Sequence, residues 1–145
     1  MSKKPTVLCV DDQPVNLQIR TMLLEQFGCE AIGVEDQQSA LRLLSDKDVD
    51  VMVIDYHLAL GASGEELARD ARVMRPGIKL IMLTGDSKLP DSARNCVDAV
   101  LIKGVSNPSM LLDLIEELIP GAELRPRRSV FFGDDPAQDA NRKAS

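Results

Sequence analysis

The stretch Val51-Met52-Val53-Ile54-Asp55 decides the fold: four apolar residues, three of them β-branched, and then a carboxylate. A run without polar alternation reads as a strand buried on both faces, which belongs in the interior of a parallel α/β sheet. In such sheets the chemistry collects outside the carboxyl ends of the strands. Asp55 therefore stands where a reaction centre is expected, and the remaining chain is read for what else reaches that edge.

Outward from Asp55 in both directions, strand and helix patterns alternate. Upstream, Thr6–Val10 is a short apolar run closed by Asp11-Asp12, and Pro14 suits the first turn of a helix, where its missing N–H leaves nothing unpaired. Leu17, Met22, Leu23, Leu24 and Phe27 supply that helix's apolar positions. Gly28 fits its C-terminal stop before a second strand over Glu30–Val34. Asp36 can cap the next helix, which carries Ala40, Leu41, Leu43 and Leu44 and breaks at Ser45-Asp46-Lys47-Asp48. Downstream, a loop with Gly61 and Gly64 has conformational latitude and leads into a helix over Glu65–Met74, closed by Pro76-Gly77. A fourth strand, Lys79–Thr84, ends on a hydroxyl. Pro90–Cys96 is at best a short helix. A fifth strand, Asp98–Lys103, ends on an ammonium, and Asn107-Pro108 opens a last helix with Met110, Leu111, Leu114, Ile115 and Leu118 at helical spacing, stopped by Pro120-Gly121. Met22, Met52, Met74, Met82 and Met110 are read as core filler. Five βα units with right-handed crossovers predict a doubly wound, five-stranded parallel sheet of order 2-1-3-4-5 with helices on both faces, the flavodoxin-like arrangement.

Composition bounds the function. The 145 residues, 44% hydrophobic and 28% charged, suit one globular domain with a tail. We read 1–120 as the domain and 121–145 as a flexible or surface-docked tail carrying Arg125, Arg127, Arg128 and Val130-Phe131-Phe132. A net charge of −6 argues against nucleic acid or an anionic membrane as partner. Cys9, Cys29 and Cys96 lack metal or disulfide spacing and are expected to be reduced. The short apolar run after the basic N-terminus is too short for a signal peptide or a span, so a cytoplasmic location is expected.

The strand ends gather Asp11, Asp12, Asp55, Thr84 and Lys103 on one rim. Three carboxylates at the switch point between strands one and three cannot all remain ionised unaided, and Mg²⁺, a hard cation with oxygen ligands, is the simplest compensation. A flavin-phosphate loop would need Ser/Thr/Gly-rich backbone donors where Asp11-Asp12 stand, and a haloacid-dehalogenase phosphatase would need a second Asp where His57 stands.

In these motifs, Asp11-Asp12, Asp55, Thr84-Gly85 and Lys103, the chain from about Val7 to Ile119 resembles the CheY-like receiver domains of two-component response regulators. The resemblance implies that Asp55 accepts a phosphoryl group from a histidine kinase or histidine phosphotransfer protein. It also implies that Asp11, Asp12, Asp55 and the backbone carbonyl of His57 hold Mg²⁺, for which Mn²⁺ can substitute. Thr84 and Lys103 would contact phosphoryl oxygens, with Gly85 leaving room for the group. The His57 side chain is expected to face solvent. Such a protein is a self-phosphorylating phosphoacceptor with room for autodephosphorylation, not an independent turnover enzyme, and signals by protein contact as a monomer or a phosphorylation-dependent dimer. Three positions depart from the family pattern: Val100 stands for the usual aromatic, Gly104 for the usual proline after the lysine, and Ala59 for the proline after the acceptor. They leave an alternative, a non-switching pseudo-receiver acting as scaffold or phosphate sink.

Overall fold

The computed structural model describes residues 4–58, 63–85, 88–103 and 108–124. Five strands, β1 (Thr6–Val10), β2 (Glu30–Val34), β3 (Val51–Asp55), β4 (Lys79–Thr84) and β5 (Ala99–Ile102), alternate with five helices. These are α1 (Pro14–Gln26), α2 (Gln37–Asp46), α3 (Gly64–Met74), α4 (Asp91–Asn95) and α5 (Pro108–Leu118). The sheet is parallel throughout, in the expected order β2-β1-β3-β4-β5. No helix among the described residues is long and apolar enough to cross a membrane.

The unbroken apolar runs are explained by the two layers that cover the sheet. Leu8, Val10, Met52, Ile54, Leu80 and Met82 face α2, α3 and α4, while Val7, Cys9, Val51, Val53, Ile81 and Leu83 face α1 and α5. Side chains alternate between faces along a strand, so a strand covered on both sides must be apolar at every position. Val7 lies opposite both Ala31 and Val51, which sets β1 between β2 and β3.

The helix boundaries follow local chemistry. Gly28 takes φ 104° after α1, a left-handed turn that favours glycine. The Asp36 side chain accepts a 2.7 Å hydrogen bond from the Ser39 amide and caps α2. Arg75, just past α3, donates to the Leu44 carbonyl at the end of α2 through Nε (3.0 Å) and Nη2 (2.8 Å), tying the two helices together. One expectation needs correction. Of the five methionines read as core, Met52 and Met82 are fully buried, but Met22, Met74 and Met110 are exposed. An unbranched thioether is tolerated on a helix surface as readily as in a core, so residue type alone did not place them. Just beyond Pro120, Ala122 and Leu124 pack against the α1/α5 layer, and the Leu124 amide donates to Glu116 Oε2 at 2.9 Å. Ala59, Gly61, Gly104, Asn107 and the tail from Arg125 onward, with Val130–Phe132, lie outside the described residues.

Candidate functional site: an acidic rim held between two cations

The carboxyl ends of β1, β3, β4 and β5 bring the sequence-predicted residues together. Asp11 leaves β1 fully buried, Asp12 is half-buried beside it, and Asp55 ends β3 with 4% exposure. One carboxylate oxygen from each lies within 4.8 Å of the others. Lys103, just past β5, sets its Nζ 3.1 Å from Asp55 Oδ2 and 3.9 Å from Asp11 Oδ2. Its amide donates to the Thr84 carbonyl at 2.8 Å, so pairing of β4 with β5 continues one residue further and aims the lysine at the rim. Thr84 is fully buried. Leu83 pairs with Asp55, which places Thr84 one residue beyond the acidic strand end.

Burial pushes the Asp55 carboxyl above its usual range; the hydrogen bond and charge of Lys103 oppose that rise, the Asp11 charge adds to it, and the His57 amide opposes it. That amide donates to Asp55 Oδ1 at 3.3 Å. The His57 side chain is exposed, as expected, with its ring edge-on to Tyr56.

Two residues of the site escaped the sequence reading. Gly64 was read as a flexible loop position, yet it is the first residue of α3 and is buried against β3. A Cβ there would stand 2.7 Å from the Asp55 carbonyl oxygen, 2.9 Å from Ile54 Cγ2 and 3.0 Å from Met82 Sδ, so α3 can approach the acidic strand end only through glycine. At Gly85 a Cβ would meet nothing within 4 Å, so the packing of the domain does not require glycine there. The second is Arg20. Its Nη1 lies 3.4 Å from Asp11 Oδ2, and its side chain is only 15% exposed. It occupies the inward stripe of α1 between Leu17 and Leu24, and a lone arginine at that spacing was the available signal. The local charge is therefore balanced in part by the protein itself: three carboxylates face two cations.

The donor set suits a hard divalent ion. It offers only oxygens, and their spread is close to the separations of about 3–4 Å between ligands of an octahedral ion bound at about 2.1 Å.

Comparison with known proteins agrees with this geometry. A family model for the response regulator receiver domain matches residues 7–118, and the chain belongs to that family, the receiver domains of two-component signalling. It is 27% identical over 137 residues to the transcriptional regulatory protein GlrR of Escherichia coli K12, covering 90% of this chain and 31% of that protein. It is 35% identical over 81 residues to the phosphate regulon transcriptional regulatory protein PhoB of Pseudomonas aeruginosa, covering 54% and 35%. The chain thus spans about a third of the length of these relatives. Among solved structures, a CheY-like receiver from Methanospirillum hungatei superposes with TM-score 0.73 at 30% identity, covering 79% of this chain and 93% of that one. The response regulator TrrA of Thermotoga maritima, solved in complex with Mg²⁺ and BeF, gives 0.72 at 25% identity, covering 79% and 99%. Receiver domains of this family typically bind Mg²⁺ at their acidic site and work with histidine kinases or phosphotransfer proteins.

Proposed function

We propose that Asp55 is the phosphoacceptor of this receiver domain, that Asp11, Asp12, Asp55 and the His57 carbonyl hold Mg²⁺ or Mn²⁺, and that Lys103 and Thr84 receive the phosphoryl oxygens. The observation that carries the reading is the buried Asp55 carboxylate, 3.1 Å from Lys103 Nζ and ringed by the other two carboxylates. Phosphoryl transfer passes through a loose, in-line transition state, so the protein must position a nucleophile and place positive charge on the peripheral oxygens. An Asp55 carboxylate oxygen attacks phosphorus, the P–N bond to the donor imidazole breaks, and the imidazole leaves. Lys103 opposes the upward push that burial gives the Asp55 carboxyl and is positioned to neutralise an oxygen of the incoming group. Thr84, one residue past the strand position opposite Asp55, is placed to donate its hydroxyl to another. Bound Mg²⁺ would supply further charge neutralisation at the same oxygens.

A phosphohistidine carried by a protein must dock beside this rim. Val15, Ile19 and Met22 form an exposed apolar stripe along α1, directly after Asp11-Asp12, and we assign it to the donor protein. The division into domain 1–120 and tail 121–145 is kept as a proposal, with the docked Gly121–Leu124 as the junction. A reducing compartment such as the cytoplasm fits the three free thiols. A second reading, a phosphate sink or scaffold without a conformational output, is favoured by one observation: Val100, small and half-buried against the α2/α3/α4 layer, cannot swing an aromatic ring. The decisive experiment is intact-mass measurement after incubation with acetyl phosphate and Mg²⁺. The wild type should gain one phosphoryl group and Asp55→Asn none; labelling of that variant at the wild-type level would overturn the assignment.

A further inference from the structure

We propose that Arg20 is a tethered counter-ion that competes with the divalent cation for Asp11 and thereby sets the metal affinity of the site. The inference rests on the metal-binding reading above and concerns a residue that reading does not use.

Asp11 is fully buried, and both its oxygens are engaged. Oδ1 accepts the Gln13 amide at 2.9 Å, while Oδ2 faces Arg20 at 3.4 Å and Lys103 at 3.9 Å. A metal ion binding Asp11 must share Oδ2 with the guanidinium or compete with an amide for Oδ1. Lys103 has a second carboxylate, Asp55, at 3.1 Å; among the described contacts Arg20 has Asp11 alone. The guanidinium also stands in the inward stripe of α1 with little solvent to fall back on, so its charge is tied to Asp11. A dication on Asp11 takes over that acceptor and repels the fixed positive charge. Binding of the metal and the Arg20–Asp11 contact therefore oppose each other, and each weakens the other by the same factor. Without metal, the same contact offsets part of the carboxylate repulsion.

The test is calorimetric titration of Mg²⁺ into the chelator-treated full chain at fixed pH and ionic strength, with thermal melting in EDTA alongside. Arg20→Gln should bind Mg²⁺ about tenfold more tightly than the wild type and melt at a lower temperature in EDTA, a coupling within the usual range between two sites. Arg20→Lys retains the charge and should stay within about threefold of the wild type in affinity. Should Arg20→Gln fail to fold, the wild type still decides: the Arg20 Nε–H resonance must shift as Mg²⁺ saturates the site. Equal or weaker Mg²⁺ affinity in folded Arg20→Gln, tighter binding in Arg20→Lys equal to that of the glutamine variant, or an unmoved Arg20 resonance would overturn the proposal. If neither the wild type nor Arg20→Gln takes up Mg²⁺, the metal-binding reading itself fails and this inference with it, whereas binding of equal strength in both sinks the inference alone.

Discussion

At the scale of single residues, the site divides into groups whose chemistry is visible in a sequence and groups whose role is steric. Asp11, Asp12, Asp55, Thr84 and Lys103 were legible because a polar residue ending an apolar strand has to lie on one known edge of a parallel sheet. Gly64 was not, because only the distance between α3 and the Asp55 carbonyl makes glycine obligatory there. Gly64→Ala should lose about 1–3 kcal/mol of stability in urea denaturation, the usual range for overpacking a tight site, and should also slow labelling of Asp55. A variant as stable as the wild type would mean that α3 can shift away freely. Arg20 was hidden for a different reason. Charged residues ordinarily face water, so its place in the apolar spacing of α1 passed as ordinary surface until Asp11 was seen beneath it.

At the scale of elements, strand spans were legible nearly to the residue and helix spans wherever a cap announced them. α4, with five residues, lacks a side-chain cap at its start and was foreseen only as a short helix. α2 depends visibly on its cap. Hydrogen bonds from Ser39 hold the Asp36 carboxyl below its usual range, so its folded value lies beneath its unfolded one. The stabilisation from this cap is then present above the unfolded value of about 4 and lost as pH falls through the folded value. Asp36→Ala should melt below the wild type at pH 7, and the two curves should converge as the pH is lowered past 4 towards 2. A gap that stayed constant with pH would show that the charge of Asp36 is irrelevant. The stripe on α1 has its own test. Ile19→Glu should slow transfer from a phosphorylated histidine protein at least tenfold, as expected when a buried apolar anchor of an interface is replaced by a charge, while labelling by acetyl phosphate stays unchanged. Equal loss with both donors would place the damage in the site and not in docking.

At the scale of the whole molecule, the order in which the strands lie in the sheet bears on how the chain folds. β1 is gripped on both sides by β2 and β3, so the first 55 residues already contain three neighbouring strands, and β4 and β5 then add in turn to the same free edge. Assembly can thus follow the direction of synthesis, with an early nucleus in the N-terminal half and the C-terminal strand arriving last. Val53→Ala should chiefly slow refolding, and Leu101→Ala in β5 should chiefly speed unfolding, in stopped-flow measurements across denaturant. The opposite partition would put the nucleus at the other end. A ribosome releasing this chain would therefore expose a partly built sheet that grows at one edge only, the outer side of β2 staying the fixed edge from the start.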